Sequence, residues 1–388
     1  MFEISTGWRN YGLLVLTSCV LVGISLKPAR ADDKALKGAT FKVDDLKVTE
    51  LKVSGKATLP CMLWVDPEGS AFLTLEGGTG ILRRISYPDC NITKLKDFER
   101  KFAWISLSEY GVLLSETDTE EIWVVDPTTL EVKNKIAVPK LKRAVSAPGQ
   151  NWAVACDRGR PMQDQKLYLV DLVQKKAEVW AAPMDSIGKI GLDNPVMTPD
   201  GTHVFAQGDL VNGHMCRFSF KDRKLTFEEA EEQIGDKRFM IGGFTPNNTA
   251  GITISSDSKF VCQVFPSTNT KTPIYPVDTF AKHQCILEHG EERDYPGFRR
   301  LPQYRPMAMG FDIKGGHIYT QDGGQEFTVF TLTGVKKKSY KLGVGSVWQY
   351  LVHPGGNHVV LLREASVGAG MGQMIHFDTV LVEVPKQK

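Results

Sequence analysis

The chain has almost no surplus charge of either sign. Its 388 residues hold 47 Lys and Arg against 45 Asp and Glu, a formal net charge of +2. Nothing in that balance asks for nucleic acid or an anionic membrane surface as a partner. Catalytic signatures are missing too: there is no Gly-x-Ser-x-Gly elbow, no His-Glu-x-x-His and no Walker loop. The sequence has no Cys-x-x-Cys, which removes thioredoxin-like motifs and zinc knuckles, and no Cys-x-x-Cys-His for haem attachment. Gly343-Val344-Gly345 and Gly368-Ala369-Gly370-Met371-Gly372 lack the strand-to-helix setting of dinucleotide loops and read as flexible turns. No Pro/Ser-rich linker interrupts residues 41–385, and no histidine precedes His203. No cofactor or metal is implied by these patterns.

The first 31 residues stand apart. Arg9 precedes an apolar run from Tyr11 to Leu26, and Ala29-x-Ala31 is a small-x-small cleavage pattern. This predicts a secretory signal over 1–31, removed near Ala31, followed by an unstructured stretch over 32–40. A retained anchor is the first alternative, although the run is short and Pro28 follows it. A lipid anchor at Cys19, in Leu16-Thr17-Ser18-Cys19, is the second. Cleavage implies a periplasmic or secreted protein with no membrane span in the mature chain. It removes Arg9, Lys27, Arg30 and Glu3, which leaves basic and acidic residues equal in number. It also leaves six cysteines: Cys61, Cys90, Cys156, Cys216, Cys262 and Cys285. An exported chain permits disulfides, and Cys61–Cys90 and Cys262–Cys285 are conceivable pairs. Free thiols buried in apolar strands are the other reading.

What the sequence has in plenty is turns between short apolar runs. Seven markers recur: Pro67-Glu68-Gly69, Glu109-Tyr110-Gly111, Pro148-Gly149-Gln150, Pro199-Asp200-Gly201, Ser256-Asp257-Ser258, Lys314-Gly315-Gly316 and Pro354-Gly355-Gly356. Their spacing of about 40 to 60 residues is that of a radial β architecture in which each unit is one small sheet. Unit two shows it best. Phe102 to Ser108, Val112 to Ser115, Glu121 to Asp126 and Leu130 to Val138 read as four consecutive strands, rich in β-branched and aromatic residues. The seventh unit runs out of chain one strand early. Thr40 to Val53 alternates apolar and polar at Phe41, Val43, Leu46, Val48, Leu51 and Val53, so it is predicted to pair beside the last unit and close the ring.

Two segments carry a family resemblance. Met197-Thr198-Pro199-Asp200-Gly201-Thr202-His203-Val204-Phe205-Ala206 and Ile122-Trp123-Val124-Val125-Asp126-Pro127-Thr128-Thr129 resemble the repeats of bacterial, exported YVTN-like and related WD40-like β-propellers. The Trp-Asp dipeptide of true WD40 blades is absent. The resemblance implies an all-β β-propeller over 41–388; the seven markers make it seven-bladed, closed by the N-terminal strand, with six or eight blades as alternatives because units four to six are long. It implies two functions: a non-catalytic scaffold that binds a protein or envelope component, or a lactonase-like or other hydrolase with its site in the central channel. Acids, histidines or arginines from three or more blades meeting at the axis would favour the hydrolase; Ala, Val, Gly and Ser there would favour binding.

The strongest candidate site is an insertion between units five and six, residues 281–306. Its binding candidates are His283, Glu288, His289, Arg293, Tyr295, Arg299, Arg300, Tyr304 and Arg305. The arginines and tyrosines suit a carboxylate, a phosphate or a protein surface. His283-x-Cys285-x-x-x-His289 offers three metal ligands at a spacing no common zinc site uses. His203, His317 and His358 follow the unit turns at matching places, either as a ring of ligands or as turn residues. Glu116, Asp118, Glu120 and Glu121 cluster without calcium-loop spacing. Lys336-Lys337-Lys338 and Lys341 fall on an expected outer strand, where lysine repels other sheet edges.

Overall fold

The computed structural model describes residues 37–51, 60–158, 166–180, 193–207, 215–221, 224–228, 252–263, 271–279, 283–288, 309–321, 326–342, 347–366 and 376–385. Among them are 29 strands and no helix. They open with a hairpin, β1 (Lys37–Val43) and β2 (Leu46–Leu51). Blade 1 is β3 (Pro60–Trp64), β4 (Ala71–Glu76), β5 (Ile81–Ser86) and β6 (Ile92–Asp97). Blade 2 is β7 (Phe102–Ser108), β8 (Gly111–Glu116), β9 (Glu121–Val125) and β10 (Val132–Ala137). Blade 3 is β11 (Leu141–Val145), β12 (Trp152–Asp157), β13 (Leu167–Asp171) and β14 (Lys176–Trp180). Blade 4 is β15 (Asp193–Met197), β16 (His203–Gln207), β17 (Met215–Lys221) and β18 (Lys224–Glu228). Blade 5 is β19 (Ile252–Ile254), β20 (Phe260–Gln263), β21 (Lys271–Pro276) and β22 (Cys285–Glu288). Blade 6 is β23 (Gly310–Asp312), β24 (His317–Gln321), β25 (Phe327–Thr331) and β26 (Lys336–Tyr340). Blade 7 is β27 (Val347–Val352), β28 (His358–Ser366) and β29 (His376–Glu383).

Each of the first six blades is an antiparallel meander of four strands, A to D. Blade 7 supplies three strands of its own and takes β2 and then β1 on its outer side. Val48 lies opposite Val382 and Leu51 opposite Thr379, so the N-terminal strand completes the last blade as expected. One detail differs. Residues 40–53 were expected to run as one strand, but Asp44 takes a left-handed φ of 53° and turns the chain back. The result is a hairpin, and β1 already begins at Lys37, within the stretch expected to lack structure. The phase of the apolar residues slips between Val43 and Leu46, which is what a two-residue turn does to an alternating strand. Val53 lies outside the described residues.

The seven sequence markers have a common backbone cause. Gly69, Gly111, Gly149, Gly201, Ser258, Gly316 and Gly356 all have positive φ. Each sits in the A–B turn of its blade, where the chain reverses through a conformation that side chains disfavour.

Buried apolar side chains fall into seven clusters among the described residues, one for each seam between blades. The blade 1–2 seam holds Leu73, Leu75 and Leu82 against Val112, Leu114 and Trp123. Leu113, pointing the other way from the same strand, joins Val124, Tyr168 and Val170 in the blade 2–3 seam. This explains why β4, β8 and β12 are buried at every position: both faces of a blade are covered, so their strands read as apolar runs. Leu46 and Val48 of β2 pack into the blade 6–7 seam with Tyr319, Phe327 and Val382. Leu51 reaches the blade 7–1 seam with Met62, Phe72 and Leu381. One short strand thus contributes to two seams.

Candidate binding face

In a four-stranded meander the A–B and C–D turns lie at one end of the blade, and the B–C and D–A connections at the other. At the A–B end, side chains and turns are wired to one another around the ring. The Glu109 amide donates to the Gln150 carbonyl at 3.0 Å, linking blades 2 and 3. Gln150 Nε2 donates to the Asp200 carbonyl at 3.2 Å, and the Asp200 amide to Ser258 Oγ at 3.1 Å. Buried Asp312 accepts from the Tyr319 hydroxyl at 2.6 Å, the Gly315 amide at 2.6 Å and, across the blade 6–7 seam, the Asn357 amide at 2.7 Å. Polar groups at this end are largely spent on the ring itself.

At the opposite end, blades 1 and 2 are tight. Glu76, at the end of β4, accepts the Thr79 hydroxyl at 2.8 Å and pairs with the buried Arg83 at 2.9 Å. Glu116, at the matching end of β8, accepts the amides of Asp118 and Thr119 and the Thr119 hydroxyl. This recurring Glu-x-x-Thr turn was legible in the sequence as Glu76-Gly-Gly-Thr79 and Glu116-Thr-Asp-Thr119, and it was missed. Asp157 does the same work in blade 3 by accepting the Lys166 amide at 3.0 Å. The suspected acidic cluster is likewise absorbed by structure. Glu120 accepts the Lys140 amide at 2.8 Å, and Glu121 accepts the Trp123 indole at 3.0 Å.

From blade 3 onward the connections at this end lengthen. Residues 181–192, 229–251 and 289–308 lead into the innermost strands of blades 4, 5 and 6. The B–C connections of blades 3 to 7 include residues 159–165, 208–214, 264–270, 322–325 and 367–375.

The inner strands are bulged at the same end. In blade 2, Phe102 pairs with Glu116 and Trp104 with Ser115, so Ala103 is extra. Lys142 is extra in blade 3 and Trp348 in blade 7, and blade 4 gains one residue between Asp193 and Val196. Bulges bend a strand and re-aim a side chain, and they concentrate at rims beside sites. Next to the Lys142 bulge, the Arg143 guanidinium lies 3.3 Å from the ring centroid of Trp104. Its positive charge opposes, without overcoming, the burial that pushes the Cys61 thiol up to about 12.

The described inner strands carry few charges beside their apolar residues and the neutral polar Ser106, Ser108, Asn194, Thr253 and Gln349. Their charged residues are Lys142, Arg143, Asp193 and Asp312, and Asp312 belongs to the far end. No group of three His, Cys, Asp or Glu side chains is placed to hold a metal among the described residues. His203, His317 and His358 do occupy equivalent places, each the first residue of strand B in blades 4, 6 and 7. His317 is buried and held below the usual histidine range by that burial, with Lys337 adding to the effect.

The insertion 281–306 is not one loop. Residues Cys285–Glu288 form β22, the outer strand of blade 5, with Leu287 opposite Thr272 and Cys285 opposite Ile274. His283 therefore lies at the C–D end and Glu288 at the D–A end. Five residue steps separate them, at most about 16 Å of extended chain. Cys285 stays at the C–D end against Leu332 and Gly334 of blade 6, so it and Glu288 lie toward opposite ends of the strand. The apolar pair Ile286-Leu287 was the sequence signal for a strand. His289, Arg293, Tyr295, Arg299, Arg300, Tyr304 and Arg305 lie outside the described residues. Neither conceivable disulfide is present: Cys90, Cys262 and Cys285 are thiols.

No family model matches the sequence, and no curated protein matches it. Solved structures do. The Myceliophteria thermophila Cps50 (Swd1) β-propeller domain is similar over 90% of this chain and 100% of its own, with TM-score 0.57 and 11% identity. The RRP9 WD40 repeats are similar over 89% of this chain and 100% of their own, with TM-score 0.61 and 9% identity. Kuenenia stuttgartiensis hydrazine synthase is similar over 76% of this chain and 90% of its own, with TM-score 0.55 and 12% identity. At these identities the likeness shows a WD40-like seven-bladed β-propeller fold and nothing finer.

Proposed function

We propose that this propeller is an exported, non-catalytic scaffold, and that the end bearing its B–C and D–A connections receives a protein or another envelope component. The observation that carries this reading is the inequality of the two ends. One end spends its polar groups on turn-to-turn bonds, while the other places its long connections together on blades 3 to 7. Long connections on a rigid ring are where recognition concentrates. The mostly apolar inner strands speak for binding over hydrolysis, since a channel hydrolase needs acids or histidines converging from several blades. No described helix is long and apolar enough to cross a membrane. Arg9, the apolar run Tyr11 to Leu26 and Ala29-x-Ala31 support export to the periplasm or beyond.

The test replaces residues 292–306, which contain Arg293, Tyr295, Arg299, Arg300, Tyr304 and Arg305, by a short Gly-Ser linker in the full chain. Capture of a partner from the native envelope fraction is expected to fall at least tenfold while the melting temperature holds. Undiminished capture overturns the role given to this insertion. Mass measurement of the protein from its native host tests export separately: a mature start at Asp32 is expected, and a retained leader refutes cleavage.

A further inference from the structure

We propose that the seam between blade 7 and blade 1 is a latch that acid loosens, with His353 as its titrating pin. This seam is where the first blade meets the last, so its strength decides whether the ring stays shut. His353 follows β27 and opens the A–B turn of blade 7. Its Nδ1 accepts the Gly355 amide at 2.9 Å. A ring nitrogen that accepts from a backbone N–H carries no proton, so the proton of the neutral ring is on Nε2. That nitrogen faces blade 1: a Cβ built on Gly69 would stand 2.5 Å from it, and the ring bonds the Gly69 backbone. Both nitrogens are thus committed in one neutral tautomer, one to its own turn and one across the seam.

A second proton, on Nδ1, has nowhere to go. It would face the Gly355 hydrogen and cancel that bond. The turn it disturbs is otherwise held by the His353 amide on the His358 carbonyl and the Gly356 amide on the His353 carbonyl, each 2.8 Å. The surroundings do not invite the charge either. His358 stands 6.0 Å away, ring to ring, and Lys314 reaches in from the blade 6 turn; each opposes a positive His353. The bond to the Gly69 backbone favours the charged ring, as does Asp66 on the blade 1 turn, but the Asp66 carboxylate is taken by the Ser70 amide and hydroxyl and the Ala71 amide. Trp64 at 5.0 Å and Tyr87 at 4.6 Å complete the packing. Tyr87 feels Glu383 and is pushed up to about 12, chiefly by burial, so it stays neutral throughout.

Burial is the largest influence on His353 and holds its protonation below the usual histidine range. The unfolded chain then binds this proton more readily than the folded one. The seam is at full strength above about pH 6.5, the ordinary histidine value, and weakens as pH falls below it. The blade 2–3 seam is a built-in control. Its turn contact, Glu109 amide to Gln150 carbonyl, involves no group that titrates between about pH 5 and 8.

Hydrogen exchange with mass spectrometry on the full chain, at pH 7.5 and 5.5 and corrected for intrinsic rates, tests this. Segments 60–72 and 347–358 are expected to exchange several-fold faster at the lower pH, with about tenfold, one pH unit of proton linkage, as the ceiling. Segments 104–116 and 143–152 are expected to hold. His353→Asn retains an acceptor for Gly355 without titrating, and His353→Gln retains a donor toward Gly69; either is expected to abolish the acid effect. The proposal is overturned if all four segments accelerate alike, or if the acid effect survives in both variants. It is also overturned if His358→Gln removes the effect while His353→Asn does not, which would make His358 the titrating group.

Discussion

The two ends of the ring use the same strands for opposite ends. At the A–B end, all seven turns pass through one residue of positive φ, and hydrogen bonds join the turns of blades 2 to 5 in series and those of blades 6 and 7. At the other end, the B–C turn of blade 1 is closed within Glu76 to Gly80, while blade 4 leads to blade 5 through residues 229–251. The contrast teaches that a turn constrained on both sides by neighbours has little freedom to vary. A connection that leaves the ring has only loop closure to satisfy, and that cost grows slowly with length.

The sharpest way to break this picture is to attack closure itself. Leu46 is fully buried in the blade 6–7 seam, so Leu46→Ala is expected to cost about 2–5 kcal/mol by the usual cavity rule, read from chemical denaturation. A loss no larger than that of a surface change would mean that β2 does not lock the ring. Next come the turns. A Cβ at Gly111 (φ 135°) would stand 2.4 Å from the Val125 carbonyl oxygen, whereas one at Gly316 (φ 74°) meets nothing within 4 Å. Gly316→Ala should cost about 1 kcal/mol for backbone conformation alone, and Gly111→Ala clearly more; equal melting temperatures for the two variants would contradict the contact. A third test concerns Gln349. Its side chain accepts the Met62 amide at 2.8 Å and donates to the Met62 carbonyl at 2.7 Å, acting as a strand edge between blades 7 and 1. Gln349→Leu should cost roughly 1–3 kcal/mol by leaving both groups unpaired. The smallest effect belongs to Lys338. It pairs with Asp45 at 2.8 Å and Asp44 at 3.5 Å and holds the Asp45 carboxyl below the usual carboxylate range. Lys338→Ala should lower the melting temperature slightly at low salt and not at all in high salt; a salt-independent loss would argue for packing by the lysine stem.

Much of the ring was readable in advance because its cause is local. A glycine that must take positive φ announces a turn whatever surrounds it, and the seven markers did so. Asp126-Pro127-Thr128-Thr129 was equally plain, since the Asp126 carboxylate caps the turn by accepting the amides of Thr128 and Thr129. The lysine-rich outer strand of blade 6 was readable too, although Lys338 turned out to hold the N-terminal hairpin as well as guard an edge. Less was readable where partners are distant. Nothing beside Gln349 in the chain announces Met62, and nothing beside His353 announces Gly69. The candidate insertion was misread for the same reason: Ile286-Leu287 is too short to declare a strand until Thr272 and Ile274 are alongside.

The order of turns and apolar runs, by itself, determined the all-β class, the radial repeat and the need for an N-terminal strand to finish the last sheet; it counted seven units but left six or eight blades open until the sheets were seen. These follow from backbone conformation and from the run length needed to bury both faces of a small sheet. Only the tertiary structure decided which turns share a face, which polar side chains bridge the seams, and which residues of the insertion part company across blade 5. Those depend on contacts between residues hundreds of positions apart, such as Trp64 with the Val352 carbonyl, 288 positions away, and no local pattern encodes a distance that folding alone creates.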